Sequence, residues 1–251
     1  FSKNQPVETR WPETAGRLRS PIDHSENLGS FSYHCEILQV LSHIQTLWRK
    51  QVDICSFSEV KQWEQSYCEL DGKLNAWLMN LPEDYSRLSQ LCHSDPTSRI
   101  SNWLMLHAAF VTSVIRLHSG AAYPVARSHI FSPSYNASQK CLAAVQSLRE
   151  IAQDVSKTGM LGLLGPHFAF SLWTAARLSL IHTSSTRGEI DSDVEIFIFI
   201  LNQTGRHWPV AQKYAQRLEN VLRQCSFSRT AVGNVPWPPS PAWKALATMR
   251  R

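Results

Sequence analysis

Apolar residues recur at three- and four-residue steps from Phe31 onward. Phe31, Cys35, Leu38, Leu41, Ile44, Leu47 and Trp48 form one stripe on a helix running to about Val52. Ser56-Phe57-Ser58-Glu59 has the form of a capping box, in which the first serine and the glutamate satisfy each other's backbone N–H groups. A second stripe follows, Val60, Trp63, Tyr67, Leu70, Leu74, Trp77, Leu78 and Leu81, until Pro82. Both segments read as amphipathic outer helices. From Ile100 to His118 the chain is apolar nearly all round, which predicts a buried central helix, with Gly120 as a left-handed stop. Ser134 to Val155 carries Ala137, Cys141, Leu142, Ala144, Val145, Leu148, Ile151 and Val155 on one side, with Gly159 as its end. Pro166 suits a first helical turn and opens Phe168 to Ile181, again apolar on most faces.

Ile196 to Leu201 is a run whose residues favour a strand. Asp191, Ser192 and Asp193 offer an N-cap, Gly205 offers a stop, and no partner strand exists elsewhere, so the segment is read as a helix. Pro209 begins a last long helix with Val210, Ala211, Tyr214, Ala215, Leu218, Val221 and Leu222 facing inward. The pattern predicts an all-α fold, an irregular bundle of about seven helices in which two central helices are enclosed by the rest. Residues 1–29 hold Pro6, Pro12 and Pro21 without periodicity and read as an extended arm; 30–225 is the helical domain. Residues 226–251 form a tail in which prolines flank Trp237, and Trp243 with Leu246 is expected to make a docking turn.

Composition narrows the class further. The 251 residues include nine Trp, ten Phe and six Tyr, enough burial for one sizeable core and against disorder. Net charge is +5, and from Arg206 to Arg251 eight basic residues face the single acid Glu219. They are scattered singly along a helix, the pattern of a solvated face rather than of a phosphate-binding run. The six cysteines include no C-x-x-C pair, which removes a structural zinc site, and thiols on helix faces suit a reducing compartment. Gly162, Gly165, Pro166 and His167 interrupt the one span-like stretch, Met160 to Ala176, so no membrane partner is expected. The first residue is Phe1, with no basic-then-apolar leader after it, and the chain is read as a fragment.

The familiar catalytic patterns are absent: no H-E-x-x-H, no phosphate-binding glycine loop, no G-x-S-x-G and no dinucleotide fingerprint. Asp191-Ser-Asp193 reads as a cap and not as a metal motif, and Gly159, Gly162 and Gly165 as a helix stop and start, with an anion at that start as the alternative. His107 and His118 share a side of the central helix but lie ~16 Å apart along it, too far to share a metal. Each is read as a core histidine with a hydrogen-bond partner. Arg116 and Arg177 interrupt apolar helices and call for partners, internal acids or helix ends on one reading and an anionic small molecule on another.

Several segments in order resemble the middle homology region of fungal zinc binuclear-cluster transcription factors. They are Gly29-Ser30-Phe31; Leu70 to Leu81-Pro82; Leu104 to His118; Gly165-Pro166 before Ala175-Ala176-Arg177; and Leu201 to Trp208-Pro-Val-Ala211. The likeness spans about Phe1 to Cys225, although the cysteine cluster and the arginine-rich helix pair that open such proteins are missing. It implies the later part of a nuclear, helical, non-catalytic region that controls transcriptional activation, in some members by sensing a small metabolite. The expected partners are a small-molecule effector, the transcription machinery or other segments of the full-length factor, DNA through an absent upstream domain, and a second copy in a homodimer. No catalytic residue, metal ligand or cofactor is expected in this chain. Trp103, His107, Phe110, Trp173 and Arg177 are expected to line the effector pocket. The alternatives are an all-α enzyme acting on an apolar small molecule, with His107 or His118 as acid-base, and a DNA-associated scaffold without regulation.

Overall fold

Residues 30–81, 98–124, 133–186 and 192–231 are described by a computed structural model; the arm expected at 1–29, the segment 82–97 and the turn expected at Trp243 and Leu246 lie outside the described residues. Helices α1 (Ser30–Arg49) and α2 (Phe57–Met79) form an antiparallel pair against α3 (Ser98–Ala122). On the other side of α3 lie α4 (Tyr135–Lys157), a short 3-10 turn (Met160–Leu163) and α5 (Pro166–Thr186). Helices α6 (Ser192–Thr204) and α7 (Pro209–Ala231) cover α5. The chain is all-α, with α3 and α5 as the two central buried helices.

Helix α3 is apolar nearly all round because it carries two interleaved stripes. Trp103, Leu106 and Leu117 join Tyr33, Ile37, Ile44, Leu47, Leu70, Leu74 and Trp77 in one apolar cluster with α1 and α2. Leu104, Ala108, Val111, Ile115 and Ala122 face the other way, into a larger cluster with α4, α5, α6 and α7. Helix α5 is buried on every side, and small residues make this close packing feasible. Ser171 Oγ lies 2.8 Å from Thr112 Oγ1 and 3.2 Å from the Ala108 carbonyl, so the two central helices touch through short hydroxyls.

The apolar run at Ile196 to Leu201 is helical, as its caps predict, with Phe197, Ile200 and Leu201 buried and Phe199 exposed. Pro166 and Pro209 each occupy the first position of their helices. Ser134 accepts the Ala137 N–H, and Gly159 ends α4 with φ of 70°. Gly162 sits directly against the His207 ring, a close approach that explains one of the three spaced glycines without a ligand.

Four local expectations differ from the structure. The buried face of α1 is Tyr33, Ile37, Ile44 and Leu47, whereas Phe31, Leu38 and Trp48 are exposed. The α1 sequence offers two adjacent apolar faces, and the one that meets α3 is decided by fit, not by periodicity. The capping box does not close: Ser56 makes no side-chain cap, and Glu59 Oε2 accepts instead from the Asp53 N–H at 3.0 Å. Helix α7 runs on to Ala231, past the expected domain boundary at 225.

Gly120 is not a left-handed stop; it lies inside α3, where a Cβ would collide with the indole of Trp48. Alanine in a helix interior is favoured over glycine by ~1 kcal/mol, whereas overpacking costs ~1–3 kcal/mol. Gly120→Ala is therefore expected to destabilise the protein in urea melts, by up to ~2 kcal/mol net. Combining it with Trp48→Ala should convert the change at residue 120 into a gain, and additive effects of the two substitutions would exclude this contact.

Candidate functional site

The most elaborate polar arrangement lies where α2, α3 and α4 meet. Tyr67 and Asp71 are four residues apart on α2 and so share a face. His118, on α3, is almost wholly buried between them. The Tyr67 Oη lies 2.6 Å from His118 Nδ1, and His118 Nε2 lies 3.1 Å from Asp71 Oδ1. Lys140 of α4 reaches across to the same carboxylate, with Nζ 2.8 Å from Oδ1 and 2.6 Å from Oδ2.

Chemistry fixes the protons. A carboxylate only accepts, so Nε2 carries the hydrogen; in the neutral ring Nδ1 then accepts from the tyrosine O–H. Burial lowers the His118 pKa below its ordinary 6.5, and Lys140 nearby acts in the same direction, against the opposing pull of Asp71. Burial, with the Asp71 charge behind it, pushes the Tyr67 hydroxyl up to about 12 and keeps it a donor. The chain of bonds Tyr67 to His118 to Asp71 to Lys140 is thus complete with one neutral imidazole and one compensated ion pair.

Aromatic rings extend the same line outward. Trp48 meets Trp63 edge-on at 5.4 Å, Trp63 stacks on Tyr67 at 5.7 Å, and Tyr67 meets His118 edge-on at 5.7 Å. Gly120 provides the flat spot on α3 against which Trp48 rests. One row of rings therefore joins α1, α2 and α3, and the ion pair adds α4.

Of the five residues expected to form an effector pocket, Trp103, His107 and Phe110 lie on α3 and Trp173 and Arg177 on α5. Trp103 packs on Tyr33, with centroids 6.1 Å apart, in the α1–α2 cluster. Trp173 stacks on Tyr214 of α7 at 5.2 Å, in the other cluster. His107 is buried and Arg177 half-buried on α5. Phe110 stacks on Trp77 at 5.3 Å and forms part of the floor of a groove of about 270 Å³ between α2 and α4, next to His118. Sequence reasoning missed Tyr67, Asp71 and Lys140. The signal available for Asp71 was its position one turn after Tyr67 beside an apolar stripe; nothing local pairs it with Lys140, 69 residues away.

A second carboxylate has a structural partner. Asp193 is buried and accepts from Arg149 Nη1 at 2.9 Å, tying α6 to α4 rather than simply capping its own helix. The buried Cys141 thiol is pushed up to about 12 by burial and stays protonated. Among the described residues no group of three or more His, Cys, Asp or Glu is placed to hold a metal, and no helix is long and apolar enough to cross a membrane. The chain matches no family profile, no curated protein and no solved structure.

A folded-state pKa below 6.5 at His118 means that the folded chain binds fewer protons than the unfolded one between those two values. Stability is therefore full above about pH 6.5 and is lost as pH falls toward the folded pKa. His34, lowered by burial and by the nearby His167, adds a contribution of the same sign. Urea midpoints should fall on going from about pH 7.5 to 5.5, and His118→Gln should flatten that slope in part. Tyr67→Phe, which leaves the buried Nδ1 without its donor, should cost ~1–3 kcal/mol at neutral pH. An unchanged slope in His118→Gln would place the pH response elsewhere.

Proposed function

We propose that this chain is the regulatory region of a fungal zinc-cluster transcription factor, working in the nucleus and controlling activation through helix packing without transforming a substrate. The observation that carries the reading is the shared helix: Phe110 and Val114 of α3 pack against both apolar clusters at once. A change in how α1 and α2 sit on α3 therefore alters the surface that α4 and α5 meet, which is the property a regulatory module needs. The ordered likeness of Leu70 to Pro82, Leu104 to His118 and Leu201 to Ala211 to that class supports the same reading. On this view the chain itself needs no cofactor, DNA is gripped by a segment outside it, and its partners are an effector and the transcription machinery.

The test is a reporter assay. The chain is placed between a heterologous DNA-binding domain and an activation domain, and compared with an inert helical spacer of the same length. Reporter output should fall severalfold with the chain, and Tyr67→Phe, which loosens the seat of α2, should restore part of it. Output equal to that of the spacer would overturn the regulatory reading. The gene should also encode a six-cysteine, C-x-x-C-bearing segment upstream of Phe1.

A further inference from the structure

We propose that the groove between α2 and α4, floored by α3, binds a small uncharged apolar molecule carrying one hydrogen-bonding oxygen. Helices α2 and α4 each pack on α3 and scarcely on each other, so the Asp71–Lys140 ion pair spans a gap rather than closing a packed seam. Beneath and beside that bridge the lining is mostly apolar, Leu74, Phe110, Val111, Val114, Ala143 and Ala144, with the uncharged Asn75 and Ser147 as its other polar members. The space, about 270 Å³, falls just under the roughly 300–1,000 Å³ of drug-sized ligand sites, which sets the occupant as small. From Lys140 to Ser147, both on its rim, α4 rises ~10 Å, a length that suits a compact ring system and is too short and narrow for a partner helix ~10 Å across.

Charge selects the chemistry of the occupant. The polar end of the groove contains one carboxylate and one ammonium already paired, together with a buried imidazole whose two nitrogens are both engaged. A charged ligand entering there would lose water without gaining a counter-ion, a cost that an uncharged molecule avoids. A single oxygen is nevertheless served. Two of the three N–H groups of Lys140 are directed at Asp71 among the described residues, and the third remains to be offered to a hydroxyl or carbonyl. The groove thus has the makeup of a ligand site, apolar walls with a few convergent polar groups at one end, and its polar end is held rigid by a nearly fully buried His118.

The sensing role given to this site rests on the regulatory reading above; the binding does not. The probes are naphthol, which carries the ring system and one neutral oxygen, and naphthoate, which carries the same rings and a negative charge. Calorimetric titration of the full chain should show saturable, one-to-one binding of naphthol and binding of naphthoate weaker by about tenfold or more. Ala143→Phe fills the groove from an exposed position on α4 and should weaken naphthol binding by about tenfold while leaving the helical circular dichroism unchanged. Ser147→Leu, a second change on the same wall, should weaken it independently. Absence of saturable naphthol binding, equal or tighter binding of naphthoate, or unchanged binding in both variants would overturn the site. Binding with a silent reporter would keep the site and remove its regulatory role, whereas a responsive reporter without naphthol binding would remove the site alone.

Discussion

Everything in this bundle depends on one helix having two insides. Helix α3 must bury Trp103, Leu106 and Leu117 against α1 and α2 while burying Leu104, Ala108, Val111 and Ile115 against α4 and α5. A helix buried on both faces has no solvent side on which to leave a polar group, and an unsatisfied buried one is costly. Three of its buried polar residues show how this is met, locally or across an interface. Thr112 and Ser113 return their hydroxyls to carbonyls one turn back, each at 2.8 Å, and His118 is held by Tyr67 and Asp71.

The same constraint explains where side-chain size varies. Between α3 and α5, both enclosed, close approach requires small groups, and Ala108, Thr112 and Ser171 meet there. Between α3 and the outer pair α1–α2 the seams hold rings, Tyr33 with Trp103 and Trp77 with Phe110, and Trp48 meets Trp63 within the outer pair itself. Gly120 is the exception that lets a ring reach the α3 backbone. Among the described residues two ion pairs link helices, Asp71 with Lys140 and Asp193 with Arg149, and each joins helices that apolar packing alone would leave free to slide.

How much of this was legible in the sequence follows from the range of each interaction. The helices, their order and the two central ones were readable because a 3.6-residue repeat is a local property, and even the β-prone run at Ile196 to Leu201 was readable from its caps. The buried face of α1 was not, because Phe31, Cys35 and Leu38 lie beside Tyr33 and Ile37 and only the partner decides between them. Gly120 was legible as special but not in kind, since a stop and a close approach call for the same residue. The presence of a partner for His118 was foreseen, whereas the identity of Tyr67, Asp71 and Lys140 depends on three helices coming together. The expected pocket joined aromatics by their shared character, and the structure divides Trp103 and Trp173 between opposite sides of α3.

The polar row also settles a problem that apolar packing leaves open. Burial is nearly indifferent to direction, so an amphipathic helix such as α2 can slide one turn, about 5.4 Å, along an apolar neighbour and still bury a similar area. With Tyr67 and Asp71 spaced at one turn, such a slide would carry the tyrosine to the place of the carboxylate. His118 Nε2–H and the Lys140 ammonium would then both face a hydroxyl in place of an anion, leaving a buried donor poorly served and a cation without its partner. The cost is concentrated in one discrete displacement, while small deviations cost little. A register fixed in this way favours a few distinct seats for α1 and α2 over a continuum, and distinct seats are what an effector in the adjacent groove would need in order to select one of them.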